Sequence, residues 1–384
     1  MITRDIAYIG VDDTDLDLFE SQYIIPNGIS YNSYLIKDEK IAIMDTADNR
    51  KIDEWLGNLR TALDGRTPDY LVVQHMEPDH AGCIAEILEE YPAIKIVASA
   101  RAIQMMPQCF EGKDFSQNSI AVKEGDTLSL GEHILQFFMA PMVHWPEVMV
   151  TYDKKDKVVF SADGFGKFGA LSHEEDWACE ARRYYFNICG KYGGPVQALL
   201  KKLATLDVEC ICPLHGPILK ENLGYYIGLY DTWSKYDVET EGVFIAYASI
   251  HGGTAAVANV MAEILREKGA KKVSVADLSR DDMAEAIEDA FRMDKMIVAA
   301  ASYDGGVFPV MPDFLHHLQI KAYQKRRVGI IENGSWAPCA GRVMRGMLEQ
   351  MKDVEIAEPM VTILSRMKQS DRAALEALAD AILK

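Results

Sequence analysis

Two rhythms of apolar and polar positions divide the chain, and they change near residue 240. Before that point apolar residues alternate in short groups: YNSYLIKDEKIAIMD (31–45), DTLSLGEHILQFFMA (126–140) and EVMVTYDKKDKVVFSAD (147–163). A period of two is the mark of half-buried strands. VMVTY and KVVFSAD, joined by the polar DKKD, predict a hairpin. Helical spacing interleaves the strands at about 51–63, 81–90, 175–188 and 195–205. This mixture predicts a layered α/β sandwich rather than a simple parallel sheet.

After residue 241 strand and helix alternate strictly. GVFIAYAS, KVSVADL, KMIVAAAS, RRVGIIEN and VEIAEPMVTI read as strands, and a helical pattern follows each. Five such pairs predict a doubly wound parallel sheet. The polar stretch SKYDVETEGV (234–243) reads as a short linker, so domains are expected over 1–240 and 241–384.

Composition narrows the class. The net charge of −18 argues against nucleic acid, whose phosphates it would repel. No apolar run reaches membrane-spanning length. The opening MITRDIAYIGVDDTD is acidic where a signal peptide needs its apolar core, so a cytoplasmic location is expected. The seven cysteines are odd in number and form no C-x-x-C, which fits buried reduced thiols. Cys210 and Cys212 lie on a predicted strand, where the expectation is that one thiol faces each way.

The densest chemistry lies in LVVQHMEPDH (71–80). An apolar strand ends at Gln74, and His75, Glu77, Asp79 and His80 follow, with Pro78 stiffening the backbone. His144, Asp163 and His215 each sit in a turn just after a predicted apolar strand. That arrangement would line all of them along one rim of a sheet sandwich. His133, His173, His316 and His317 lack such company and read as surface or packing residues.

These segments resemble the metallo-β-lactamase fold superfamily, and within it the flavodiiron family. The superfamily's zinc motif is His-x-His-x-Asp-His, and here Glu77 stands at the second His. A carboxylate makes the site harder and more anionic, which suits iron. The resemblance implies that His75, Glu77 and His144 bind one iron, that Asp79 and His215 bind a second, and that Asp163 bridges them. His80 matches a position that ligates the second iron or swings away. Tyr31, in GISYNSYL, resembles a segment near the diiron pocket. It is the candidate donor of a hydrogen bond to a bound intermediate, against the alternative of a packed strand aromatic. Trp145 is expected to shield the site.

In the second half, ASIHGGTAAVANV opens a helix after the first strand. Ser249, His251, Gly252, Gly253 and Thr254 offer backbone N–H groups, hydroxyls and a helix dipole to a phosphate. The loop is neither a Walker A motif nor G-x-G-x-x-G. It resembles the phosphate loop of flavodoxins. Two more loops end strands where ligands bind in such sheets: Ser302, Tyr303, Asp304, Gly305 and Gly306, then Asn333, Gly334, Ser335 and Trp336. Their aromatics and glycines suit a planar isoalloxazine, so FMN is favoured over NAD or FAD. The family pattern places a small residue and then Gly after this Trp. Here they are Ala337 and Pro338, and proline removes one N–H.

The resemblance implies a metallo-β-lactamase-like αββα sandwich fused to a flavodoxin-like domain. It implies an oxidoreductase that passes electrons through FMN to two irons per subunit, and that reduces dioxygen, nitric oxide or both. It also implies a head-to-tail homodimer or a tetramer built from it. The chain lacks the paired C-x-x-C motifs of a fused rubredoxin, so an external donor is expected, either rubredoxin or a reduced deazaflavin. The rival readings are a dinuclear zinc hydrolase with an accessory flavodoxin-like domain, and a flavodoxin-type carrier whose first domain only docks partners.

Overall fold

The computed structural model describes residues 2–384. Its chain forms two compact units that divide between Asp231 and Thr232. The polar stretch read as a linker is tied to the second of them. Its backbone carbonyls are bonded into the second unit: the Arg326 guanidinium donates to the carbonyls of Tyr236 and Asp237, and Lys325 Nζ donates to that of Lys235.

The first unit is built on two sheets. One has six strands, in the spatial order Ile6–Tyr8, Tyr34–Lys37, Ile41–Met44, Tyr70–Val73, Lys95–Ser99, Ser119–Val122. Its first three strands pair antiparallel and the rest parallel. The other has five: Thr127–Ser129, Ile134–Met139, Met149–Asp153, Val158–Phe160, Cys210–Cys212. Ile36, Met44, Val72 and Val97 of the first sheet and Phe137, Met149, Phe160 and Cys212 of the second share one core cluster. The alternate residues Leu35, Ile43 and Leu71 are also fully buried, so the other face of the sheet is covered too. Amphipathic helices such as Ile52–Leu63, which buries Trp55, Leu56, Leu59 and Leu63, fit that role.

Three details correct the sequence reading. Cys210 and Cys212 do not face opposite ways: residues two apart on a strand share a face, and their Sγ atoms lie 3.9 Å apart in the core. His133 is not without company. It is buried, and its Nδ1 lies 3.0 Å from Asp153 Oδ2. The helix Ala100–Cys109 carries an internal Pro107, a residue that argues against a helix in the sequence.

The second unit holds one sheet whose five main positions run second, first, third, fourth, fifth: Val273–Asp277, Thr240–Ala248, Met293–Tyr303, Arg326–Asn333, then Val354–Ile356. All of these pairings are parallel. VEIAEPMVTI is not a single strand. It breaks into Val354–Ile356 and Val361–Ile363, with a cis Glu358–Pro359 peptide between them, and both pieces pair with Arg326–Asn333. Among the described residues, no helix is long and apolar enough to cross a membrane.

Candidate metal centre and flavin pocket

The metal-ligand candidates converge because their strands end on one rim. Val158–Phe160 runs parallel to Cys210–Cys212, and both run in the same direction as Ile134–Met139 across the intervening antiparallel strand. Asp163, His215 and His144 therefore leave the same edge. The amide of Met149 donates to Gln74 O at 3.1 Å, which ties this edge to the end of Tyr70–Val73. Gln74 is itself fixed by buried Asp45, whose carboxylate accepts from its amide N–H at 2.7 Å and its Nε2 at 2.9 Å. Glu77 then takes the N-cap position of the short helix Pro78–Ala81, and one turn presents Glu77, Asp79 and His80 together.

All seven side chains come together, in two groups that meet at Asp163. In the first, His75 Nε2 lies 3.2 Å from Glu77 Oε2, 3.3 Å from His144 Nε2 and 3.2 Å from Asp163 Oδ2. His144 Nε2 lies 3.0 Å from Glu77 Oε2 and 3.1 Å from Asp163 Oδ2. In the second, His80 Nε2 lies 3.3 Å from Asp79 Oδ2 and 3.2 Å from Asp163 Oδ1. His215 Nε2 lies 3.3 Å from Asp79 Oδ2 and 3.8 Å from Asp163 Oδ1. The two Asp163 oxygens thus face different groups. Donors ~2.0–2.2 Å from one ion lie roughly 3.0–3.5 Å from each other, and every separation here except the 3.8 Å one has that spacing.

The hydrogen-bond inventory makes the same point. Both carboxylate oxygens of Asp79 and of Asp163, both ring nitrogens of His80, and His215 Nε2 are buried without a hydrogen-bond partner. That many orphaned polar atoms at one spot is costly unless a cation joins them. Burial alone would lower the His75 and His144 imidazoles. Asp163 and the other carboxylates outweigh it, raising His75 well above its ordinary range and His144 to about 9. Burial likewise opposes the charge on Asp163, yet the surrounding histidines hold that carboxyl well below its usual range. The centre therefore demands positive charge, and paired divalent ions supply it. Mixed imidazole and carboxylate donors fit iron.

In the second unit, a cavity of about 500 Å³ opens at the carboxyl ends of the sheet strands, a volume within the ~300–1,000 Å³ usual for cofactor sites. It is lined by Ser249, His251, Gly253, Thr254, Ser302, Tyr303, Asp304, Gly305, Asn333, Gly334, Ser335 and Trp336. Gly252 and Gly306 do not line it. Gly252 caps the helix Gly253–Glu267 with a φ of +80°, and Gly306 O accepts a bond from Cys339 Sγ. Trp336 is 92% exposed, so its ring is available to a ligand rather than packed into the protein. The turn at Pro338 is held without its N–H: Ser302 Oγ accepts from the amides of Cys339 at 2.8 Å and Ala340 at 3.1 Å.

Residues 29–216 match the family described as ODP family beta lactamase. A diflavin flavoprotein A of Synechocystis is 30% identical over 96% of this chain and 64% of its own length. The anaerobic nitric oxide reductase flavorubredoxin of Escherichia coli is 28% identical over 88% of this chain and 72% of its own. Rubredoxin oxygen:oxidoreductase of Desulfovibrio gigas superposes with a TM-score of 0.93 at 26% identity, covering 100% of this chain and 97% of that one. Over nearly its whole length this chain is similar to the flavodiiron proteins. It spans only 56–64% of the length of the diflavin flavoproteins it matches.

Around the ligands lie Tyr31 and Trp145, which the sequence singled out, and others that it did not. Glu147 bonds His75 Nδ1, and only its place three residues after His144 hinted at this. His215 Nδ1 donates to Ser30 O at 2.7 Å, a backbone contact that no side-chain pattern encodes. Tyr184 is fully buried beside His215, ring centroids 5.5 Å apart, with its hydroxyl unpartnered. Glu20 sits in a tight turn with φ +48°, and loss of water plus the nearby Glu77 carboxylate pushes its carboxyl up to about 7. Tyr31 is buried beside His215, ring centroids 6.2 Å apart, and its hydroxyl accepts from Arg50 Nη2 at 3.0 Å. Trp145 stands edge-on to His75, ring centroids 5.2 Å apart.

Proposed function

We propose that this chain reduces dioxygen to water, nitric oxide to nitrous oxide, or both, with electrons passing from an external donor through FMN to two irons. The observation that carries the reading is the pair of ligand groups meeting at Asp163, with a carboxylate at Glu77, in a chain that also bears a cofactor-sized cavity. The names of the E. coli and D. gigas relatives point to nitric oxide and to oxygen respectively, and so support both substrates.

In this reading His75, Glu77 and His144 hold one iron, Asp79, His80 and His215 hold the other, and Asp163 serves both. A reduced iron pair and reduced FMN together supply four electrons, enough for dioxygen to become two waters, while two nitric oxide molecules need two electrons to give nitrous oxide and water. The protein's own groups do the positioning. Glu147 fixes the His75 ring. Trp145 limits water at the first ligand group. Tyr31 accepts from Arg50, so its own proton is free to point toward the Asp79 side of the centre. Ser249, Thr254 and the amides opening helix Gly253–Glu267 take the FMN phosphate, and the loops bearing Tyr303 and Trp336 take the ring. Rubredoxin or a reduced deazaflavin serves as donor, the working unit is a head-to-tail homodimer or a tetramer of such dimers, and the location is cytoplasmic.

Anaerobic purification tests this, with metal and flavin quantified and each gas offered with a reduced donor. About two irons and about one FMN per chain, with consumption of at least one gas, is the expected result. Zinc in place of iron and no gas consumption would overturn it in favour of a hydrolase.

A further inference from the structure

One wall of the cavity comes from a segment with no glycine signature: Ser365 and Arg366, in the turn after strand Val361–Ile363. The turn is firmly held. Ser365 takes a left-handed φ of +67°. Asn333 clamps it from both sides, Nδ2 donating to Ser365 O at 2.9 Å and Oδ1 accepting from Ser365 N at 3.0 Å. Ser365 Oγ lies 2.6 Å from Ser335 Oγ. The same Asn333 Nδ2 reaches Thr254 Oγ1 at 3.3 Å. Ser365 O presses so closely on Gly253 that a Cβ there would come within 2.3 Å of it. The turn is therefore fastened to the end of the cavity where helix Gly253–Glu267 begins and where Ser249 Oγ is buried without a partner.

Arg366 follows directly and lines the cavity. Among the described residues its guanidinium takes no hydrogen bond and no ion pair. Lys368 close by behaves differently, with its ammonium spent on the carbonyls of Leu364 and Arg366. The acid lining the cavity, Asp304, comes from another loop. A phosphate dianion entering a chain of net charge −18 meets general repulsion, so a free cation at that end has a large effect. Guanidinium also matches phosphate oxygens in shape and donor number.

We propose that Arg366 pairs with the phosphate of bound FMN and makes the cavity select FMN over riboflavin. This rests on the flavin reading given above. The test uses the full-length chain freed of flavin, with FMN and riboflavin affinities measured by fluorescence quenching. Arg366→Gln is expected to weaken FMN by about tenfold or more, the worth of one charge-assisted bond, and to leave riboflavin unchanged. Arg366→Lys recovers part of the loss, and Arg366→Met keeps the apolar stem in case the Gln variant folds poorly. The wild-type preference for FMN shrinks as salt rises. An unchanged FMN-to-riboflavin ratio in the Gln and Met variants, or equal weakening of both flavins, overturns the proposal while leaving the flavin reading intact. A wild-type chain that binds no FMN ends both.

Discussion

Glu147 Oε1 lies 2.8 Å from Nδ1 of His75 and 2.9 Å from the amide nitrogen of Met76, so one buried carboxylate fixes both a ligand ring and the backbone behind it. Outer partners of this kind set the tautomer and aim of a metal-bound imidazole. Glu147→Leu should weaken metal binding by roughly 10- to 100-fold. Competition with a chelator would measure this, and unchanged occupancy would remove Glu147 from the centre.

Glu77 separates this ligand set from the His-x-His zinc pattern. Glu77→His should raise zinc and lower iron in the purified protein, with gas consumption falling about tenfold or more as a hard donor is lost. Elemental analysis and a gas electrode read both quantities. Retention of iron with full activity would show that the carboxylate does not set the metal.

The Tyr31 hydroxyl accepts a bond from Arg50, which is anchored in turn on Asp48. Tyr31→Phe keeps the ring and removes the donor, so iron and flavin content should hold while turnover falls. Loss of one aimed hydrogen bond in a buried site costs roughly 1.5–3 kcal/mol, about 10- to 150-fold in rate. Arg50→Gln should give a smaller loss of the same kind. Equal rates in wild type and Tyr31→Phe would leave Tyr31 as a packed strand aromatic.

Gly253 tests the flavin cavity together with the Ser365 turn that presses on it. Its Cβ would meet a backbone carbonyl at 2.3 Å, which cannot swing aside as a side chain can. Gly253→Ala should yield protein with at least about tenfold weaker flavin binding but normal iron content, read from absorbance and metal analysis. Full flavin in this variant would show that the loop is not the phosphate site.

His133 gives a pH prediction away from the metal centre. Burial lowers its imidazole, but the hydrogen bond and charge of Asp153 outweigh this and leave it above the ordinary 6.5. A raised folded value means the folded state binds the proton more tightly. The stabilisation is therefore complete below pH 6.5 and fades as pH climbs through the folded value. His133→Gln should lower Tm more at pH 6 than at pH 9. An equal loss at both would mean that packing, not charge, is His133's role.

Much of this centre was legible because its residues obey a local rule. His75 to His80 crowd into one segment, and His144, Asp163 and His215 each follow an apolar strand. The parallel sheet was legible from strict alternation. What escaped depends on tertiary contact. Arg50 sits in a three-residue helical turn that buries nothing, and Tyr184 in a helix buried on nearly every side, so no apolar stripe singles out either residue. Ser365 and Arg366 reach the cavity only because Asn333, far back in sequence, bolts them there. The thiols of Cys210 and Cys212 share one face because side chains on a strand repeat every two residues, and the grip of Arg326 on backbone carbonyls is something no side-chain pattern reveals.

His75, Glu77, Asp79 and His80 arrive on one short stretch, but His144, Asp163 and His215 come from three separate turns of the other sheet. A newly made chain whose sheets have not yet closed offers a metal ion only the first stretch, a weak chelator. Tight retention begins when the whole sandwich is shut, because Asp163 then reaches both groups at once. Metal retention is thus coupled to closure of the sandwich, and a closed chain stripped of its ions is left with buried polar atoms that nothing satisfies, which lowers its stability.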